Sequence, residues 1–413
     1  MDYLHLYVEK FDEYERFLLL DFVSDEEFRT FTKQLDYPTP DQQNTASMLR
    51  FEQIPFNKNY YPKEGSVYRI PICVFKNFRM NYSYDYNNVD DSPVIRFTYT
   101  YNPEDTNQTE RDQALKQLFH EEASAKQFVY KVQGNWAGPP CGAESLQQDI
   151  EVIVKQVGQG SWNIIRSLDK CKVVFDIGCS IYYSINECMT LLGTAPFKDH
   201  PSLIISHWDI DHYSLLTVTS DADLNQICCA FVPEECISRT SKVVAKRLES
   251  NCRYLCAIKS ISSRKVNRRV SLNVIYNDAR YILFSGEQAK NKNLSGLALI
   301  IYNGRSCIFL SADHSYQQVF EDMENALYSA PTAVIQKCAV LGENYICHLV
   351  VPHHGGEAGK NDGKFSLGIP GKAIISTGKN SYGHPFNEVR KKICDMGFEW
   401  VRTDYSGDVR ITL

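Results

Sequence analysis

The chain has 413 residues, of which 43% are hydrophobic and 23% are charged, the balance of a globular protein long enough for two or three domains. A net charge of −6 argues against a surface covered with phosphate-binding side chains, and charges interrupt the N-terminal segment where an export signal would need an apolar run. We therefore expect a cytoplasmic protein with no membrane partner. The 14 cysteines show none of the paired spacings of zinc ribbons or redox motifs, so most should be reduced, buried thiols.

The first part of the chain, residues 1–140, predicts an α+β module without a chemical motif. Ser24, three positions before Glu27, is a capping-box signature, and helical spacing of the next apolar residues predicts a helix over 24–36. The segments SVYRIPICVF and SPVIRFTYTY predict strands. Glycine and proline then cluster, which predicts a linker over 141–149.

From residue 150 the pattern changes to short apolar strands that end in polar turns. They are DIEVIVKQV, KVVFDIG, SLIISH, GLALIIYNG, SCIFLSAD, ICHLVVPHHGG and KAIISTG, and helical patterns such as FNEVRKKICDMGF lie between some of them. Runs that are apolar on both faces indicate central strands covered on each side. Residues 150–413 are therefore predicted to form an α/β domain, with sites at the strand ends.

Six of the ten histidines lie in turns after such strands. The motif HWDIDH alone places His207, Asp209, Asp211 and His212 within six positions. The first pair can reach one ion while the second pair reaches another a few Å away, which is how one loop starts a two-metal site. A lone histidine at a strand end is usually an ordinary surface residue, but several in such turns indicate a metal site.

These motifs resemble those of the metallo-β-lactamase fold hydrolases. HWDIDH is similar to the HxHxDH signature, and closest to the HxDxDH variant in the C-terminal hydrolase domain of ComEC-type competence DNA-uptake proteins. VGQGSWNII, VVFDIG, LSAD, VPHHGG and YGHP also follow in the order of that family, so the resemblance covers residues 150–413. It implies an αββα fold, with two central mixed sheets flanked by helices, and two divalent metal ions, Zn²⁺ or Mn²⁺, that activate water.

The resemblance also implies which residues form the site. The metal ligands would be His207 and Asp209 at a first ion, Asp211, His212 and His384 at a second, Asp313 between the two, and His353 or His354 at the first. Asp211, His353 and His354 would also act in catalysis, with a histidine as proton donor.

The sequence departs from the family at several of these positions. No histidine lies between His212 and His314, so the third-motif histidine is missing and the first site is poorer in nitrogen. Asp209 stands at a usual histidine position, which makes the site harder and favours Mn²⁺ alongside Zn²⁺. Asp176 is expected to form a turn and support the ligands rather than bind metal. His314 is left out because, next to Asp313 on an extended chain, it would point the other way.

Basic residues are concentrated in one later stretch. Residues 239–269 contain ten basic side chains and one acid, whereas residues 1–132 carry 22 acids and 15 bases. The stretch is either a solvated surface or a surface that tracks phosphates. The candidate substrate-binding residues are Arg264, Lys265, Arg268 and Arg269 in this stretch and Lys379 and Asn380 in the YGHP loop, for which a plain surface loop remains an alternative.

Two functions follow as hypotheses. The leading one is a metal-dependent phosphodiesterase, a nuclease above all, with nucleic acid or another phosphodiester as substrate. The alternative is a subunit of a multiprotein assembly, for example in stress or defence, whose hydrolase activity is silent or activated by a partner. In that case residues 1–140 would dock the protein partner, or would act as an acidic lid over the basic stretch.

Overall fold

The structure is a computed structural model. It describes residues 3–12, 16–35, 48–52, 61–76, 94–98, 119, 121–143, 146–147, 149–261, 269–289, 292–328, 344–356, 358, 368–378 and 383–413. The chain divides into two compact units: unit 1 comprises Met1–Lys131, Ser184–Glu187 and Glu235–Lys246, and unit 2 comprises Val132–Tyr183, Cys188–Glu234 and Arg247–Leu413. Within the described ranges, every helix is too short or too polar to span a bilayer.

The strands that these ranges contain are numbered here in chain order. They are β1 Tyr3–Asp12, β2 Phe17–Phe22, β3 Met48–Glu52, β4 Val67–Pro71, β5 Val94–Thr98, β6 Glu122–Ala123, β7 Tyr130–Lys131, β8 Ile150–Val154, β9 Trp162–Ser167, β10 Lys170–Ile177, β11 Ser202–Ile204, β12 Cys229–Pro233, β13 Glu235–Cys236, β14 Tyr254–Ile258, β15 Leu272–Asn277, β16 Tyr281–Gly286, β17 Leu297–Tyr302, β18 Ser306–Leu310, β19 Ile346–Val350, β20 Ile369–Ile375, β21 Glu399–Arg402 and β22 Val409–Thr412.

The helices are mostly short. The α-helices are Asp25–Gln34, Ile72–Lys76, Ile185–Leu192, Ile210–Tyr213, Asp221–Leu224, Arg239–Asn251, Glu324–Tyr328, Asn387–Asp395 and Thr403–Ser406. Short 3-10 turns lie at Ala125–Phe128, Phe197–Asp199, Ser214–Thr217, Lys292–Leu294 and Pro352–Gly355, and a π-helical turn lies at Gln318–Met323.

Unit 1 is built on a six-stranded sheet of order β5-β3-β2-β1-β4-β6. The predicted helix is confirmed at Asp25–Gln34, where Ser24 Oγ accepts a hydrogen bond from the Glu27 N–H at 3.2 Å. The prediction of one strand over SVYRIPICVF is wrong in its second half, because β4 ends at Pro71 and a helix begins at Ile72. Proline has no N–H to continue a ladder, and its fixed φ suits a helix start.

Unit 2 contains two seven-stranded mixed sheets. Their orders are β14-β12-β11-β10-β9-β8-β22 and β15-β16-β17-β18-β19-β20-β21. Apolar residues of both sheets, such as Phe175 and Phe231 from the first and Leu299 and Ile374 from the second, form one buried cluster between them. The helices Gln318–Met323 and Asn387–Asp395 pack against the second sheet through another cluster. The predicted mixed α/β architecture with two central sheets is thus confirmed at this level.

Parallel pairing brings the predicted site residues to one edge of each sheet. In the first sheet β10 pairs parallel with β11, and in the second β18, β19 and β20 are parallel neighbours. The carboxyl ends of parallel neighbours meet at the same edge. The polar motifs that follow parallel neighbours of one sheet therefore lie at the same edge of that sheet.

A histidine away from this edge predicts how stability depends on pH. His348 Nδ1, in β19, accepts a hydrogen bond from the Lys372 backbone N–H at 3.0 Å, and burial together with Lys372 lowers the pKa of His348 from 6.5 to about 4. The fold requires the neutral ring, so its contribution is present above pH 6.5 and is lost as pH falls toward 4. We expect His348→Gln, which keeps an acceptor, to flatten the fall in the free energy of unfolding between pH 7 and 4.5.

Urea denaturation at several pH values measures this effect. His200→Gln is the matched control, because His200 is exposed and its Nδ1 lies 3.1 Å from the Gln226 carbonyl oxygen. Parallel pH curves for His348→Gln and the unmodified chain would contradict the assignment.

Candidate metal centre

The HWDIDH turn follows β11 and buries all four of its candidate ligands. The helix Ile210–Tyr213 begins directly after Asp209, so Asp211 and His212 lie on its first turn. The Ser161 N–H donates to the Asp211 carbonyl at 2.9 Å and fixes the turn against the VGQG loop. Gly178 of VVFDIG allows this close approach, because a Cβ there would lie 1.8 Å from that carbonyl oxygen.

Three histidine rings are held with the same nitrogen bonded to protein. The Nδ1 atom of His212 lies 2.8 Å from Asp176 Oδ2, that of His354 lies 2.9 Å from the Ser376 carbonyl, and that of His207 lies 2.9 Å from Ser206 Oγ. Ser206 Oγ donates its own proton to Asp176 Oδ2 at 2.9 Å, so it accepts from His207. Every Nδ1 therefore carries its proton, and in the neutral ring Nε2 is left with a lone pair.

Each of these three Nε2 atoms lies within 3.5 Å of a carboxylate oxygen of the candidate centre. All three are buried, yet none makes a hydrogen bond of acceptable geometry among the described residues, even to these carboxylates. Buried polar atoms are otherwise nearly always bonded, so such a set requires an explanation. Histidine ligands of metals show this arrangement, with one nitrogen on the ion and the other on a carboxylate, hydroxyl or carbonyl. The residues present therefore fit a metal ion.

Carboxylates complete the centre from both sheets. Asp313, after β18, places Oδ1 3.2 Å from His212 Nε2, and its Oδ2 lies 3.8 Å from both His207 Nε2 and His353 Nε2. Burial opposes ionisation of Asp313, but His212 and His353 outweigh it and hold the pKa of this carboxyl well below its usual value. Asp313 is thus an ionised oxygen donor.

Two groups of three ligand atoms could each hold an ion. One is His207, His212 and Asp313, and the other is Asp211, His212 and His354, with the ligand atoms of each group within 4.8 Å of one another. One Nε2 can bind only one ion, so the place of His212 in both groups means that the two groups adjoin. Each offers imidazole nitrogen and carboxylate oxygen, a donor set that suits Zn²⁺ or Mn²⁺.

The two neighbouring histidines of VPHHGG have separate positions. His354 Nε2 lies 3.5 Å from Asp211 Oδ2, so the structure places it with the second pair of HWDIDH. His353 lies beside Asp313 and is 20% exposed in its side chain, whereas His354 is 4% exposed. Both have φ above +50°, an uncommon conformation outside glycine that is concentrated at functional sites.

His384 lies at the margin of the centre. It belongs to neither three-atom group, and its ring centroid is 5.7 Å from that of His353. Its Nδ1 lies 3.4 Å from Gln159 Nε2, while Gln159 Oε1 is buried with no hydrogen-bond partner among the described residues. Rotating this amide by 180° would give His384 the same Nδ1–H arrangement as the other rings.

Lys292 is a residue of the centre that the sequence patterns did not indicate. Its ammonium forms an ion pair with Asp209 Oδ1, and Asn293 Nδ2 donates to Asp313 Oδ2 at 3.5 Å. Burial opposes ionisation of Asp209, but Lys292 and then His207 hold the pKa of its carboxyl well below the usual value. The sequence feature that could have indicated Lys292 is KNKN, which lies in the interval where the family's third histidine is missing.

Comparisons with known proteins give only distant likenesses. No protein-family model matches the chain, and no curated protein matches it. Among solved structures, the metallo-β-lactamase fold protein YhfI of Bacillus subtilis aligns with 64% of this chain and 100% of its own, at 11% identity and a TM-score of 0.35. A Thermotoga maritima protein assigned to the metallo-β-lactamases aligns with 52% of this chain and 91% of its own, at 9% identity and a TM-score of 0.21. Likenesses this loose carry no argument about activity, so the chemistry has to be inferred from the side chains.

Several candidate substrate-binding residues lie outside the described ranges, namely Arg264, Lys265, Arg268, Lys379 and Asn380. Arg269 is described and forms ion pairs with Glu321 and Asp322. Other cations of the 239–269 stretch are also paired: Arg239 with Asp25 and Arg247 with Asp221, each at 2.7 Å. These three guanidinium groups are already engaged by carboxylates of the protein, which for them favours the interpretation as an ordinary protein surface over contact with phosphates.

Proposed function

We infer that the chain is a metal-dependent hydrolase of phosphodiesters, a nuclease above all. The observation that carries this proposal is the pair of adjoining ligand groups that share His212. Adjoining two-ion sites occur in phosphatases, polymerases, nucleases and aminopeptidases, and in the first three classes the ions serve an in-line displacement at phosphorus. Divalent ions in such a site supply a nucleophilic water near neutral pH and polarise a phosphoryl oxygen.

The chain's own residues provide the rest of the chemistry. The Ser206 N–H donates to Asp176 Oδ1 at 2.7 Å, and His212 Nδ1 donates to Asp176 Oδ2. Asp176 therefore fixes the orientation of the His212 ring on the side away from Nε2. Asp313 belongs to the group of His207 and His212, and its two oxygens lie 3.2–3.8 Å from the Nε2 atoms of His212, His207 and His353. His353 Nε2 lies 3.8 Å from Asp313 Oδ2 and its side chain is 20% exposed, so His353 is the candidate to give a proton to the leaving oxygen.

Thioesters and lactams are the alternative substrates of a two-ion hydrolase. They are not polyanions, so a row of cations would not strengthen their binding. A polynucleotide would gain from the cations of residues 239–269 outside the three paired arginines, among them Arg253, which lies 5.0 Å from the Tyr254 ring centroid. The basic composition of residues 239–269 supports a phosphodiester as the substrate class. A protein partner for residues 1–140, or a lid role for them, stays a prediction from the sequence.

Incubation of the full chain with a panel of substrates tests the proposal. We expect Mn²⁺- or Zn²⁺-dependent cleavage of at least one of single-stranded DNA, duplex DNA, RNA and a chromogenic phosphodiester, and complete loss with EDTA. Nitrocefin and a thioester are included in the panel as controls for lactam and thioester hydrolysis. Hydrolysis confined to those two substrates, or no bound metal after reconstitution, would overturn the assignment.

A further inference from the structure

The two ligand groups differ in their supply of free ligands, because one carboxylate beside the His207 group is already paired with a lysine. The group of Asp211, His212 and His354 has a complete set of one carboxylate and two rings. If His212 serves an ion there, the other group keeps His207 and Asp313 and needs a third ligand. Asp209 is a candidate, with Oδ2 3.4 Å from His207 Nε2.

Asp209 is, however, already paired with a cation. The Lys292 ammonium contacts its Oδ1, and the side chains of Lys292 and Asp209 are 25% and 7% exposed. The ammonium contacts Oδ1, whereas the oxygen that faces His207 is Oδ2, so both oxygens of Asp209 would be shared between two positive charges. A positive charge this close to a ligand repels a divalent ion at short range and lowers the affinity of that carboxylate for the ion. In a largely buried site this repulsion is weakly screened. An ion at Asp209 Oδ2 therefore binds more weakly while the ammonium stays on Oδ1.

We propose that Lys292 competes with metal at the His207–Asp209 side, so that the centre binds one ion tightly and the second weakly. This inference rests on the proposed metal site and adds its order of loading. The tightly bound ion is the one held by Asp211, His212 and His354. The weakly bound ion, at His207, Asp209 and Asp313, gains affinity when Lys292 leaves Asp209, and a phosphoryl oxygen of the substrate is a suitable new partner for the ammonium. Substrate and second ion then assist each other's binding.

Metal counting on the full chain tests the proposal without reference to activity. After chelation, reconstitution with Mn²⁺ and desalting, the unmodified chain should retain about one ion, and calorimetry should resolve a tight step and a weak one. Lys292→Met, which keeps the length of the side chain and removes its charge, should retain about two ions and strengthen the weak step on the order of tenfold or more, the effect of removing a competing partly buried charge. Lys292→Arg should behave as the unmodified chain.

Lys155→Met is the matched control, because it removes a Lys–Asp ion pair of 2.6 Å with Asp408 that involves no residue of the centre. It should leave both metal steps unchanged. If Lys292→Met fails to fold, electron paramagnetic resonance of the unmodified chain decides, since one equivalent of Mn²⁺ should give an uncoupled signal and coupling should need excess metal. Two equally tight ions in the unmodified chain, or identical titrations for it and Lys292→Met, would overturn the role of Lys292 alone. No binding in any variant would overturn the metal site itself.

Discussion

Asp211→Asn is expected to abolish hydrolysis while the chain still folds. The change keeps the size of the side chain but removes a charged oxygen from the group that contains His212 and His354. Loss of the ion that activates water removes several kcal/mol of transition-state stabilisation, on the order of a thousandfold or more in rate. Turnover on the best phosphodiester and far-UV circular dichroism, measured on the same preparation, check the result.

Stability in the presence and absence of metal separates a ligand from a structural residue. Without metal, removing one of several clustered carboxylates should leave the free energy of unfolding unchanged or raise it. With saturating metal the unmodified chain should gain stability by linkage, and Asp211→Asn should gain less. His200→Asn, at an exposed histidine, should match the unmodified chain in both conditions. Turnover near the unmodified rate in Asp211→Asn would exclude this carboxylate from the reaction.

Gly178→Ala is expected to cause the largest loss of stability among the single changes considered. Its Cβ would lie 1.8 Å from the Asp211 carbonyl oxygen and 2.6 Å from the His212 nitrogen, and both are backbone atoms. Backbone atoms cannot rotate away, and that oxygen already accepts from the Ser161 N–H. We expect a loss of about 2–3 kcal/mol in the free energy of unfolding, together with weaker metal binding.

Gly304→Ala is the control for the methyl group itself, because a Cβ there meets no described atom within 4 Å. It should change stability by less than about 0.5 kcal/mol. Urea denaturation and metal counting measure both variants. A Gly178→Ala chain as stable as Gly304→Ala would mean that the turn after β11 is not held against β10 as described.

The sequence by itself determined the features that depend on near neighbours. Alternation and apolar runs located β10, β17, β18, β19 and β20, and a serine three positions before a glutamate located the first helix, because hydrogen bonding and side-chain direction over a few residues decide these elements. The order of the polar turns also indicated which side chains would gather, since parallel strands deliver their carboxyl ends to one edge. Pro71 shows the limit of the method: SVYRIPICVF has strand composition throughout, yet the ladder stops at the proline.

Only the tertiary structure decided which charges meet. The different positions of His353 and His354 depend on a turn with two positive φ values, which brings His354 Nε2 to 3.5 Å from Asp211 Oδ2 and His353 Nε2 to 3.8 Å from Asp313 Oδ2. The pairing of Lys292 with Asp209, and of Arg269 with Glu321 and Asp322, joins residues far apart in the chain. Coulombic contacts of this kind have no period or spacing in sequence, because they depend on loops brought together by packing of the two sheets rather than on the residues beside them.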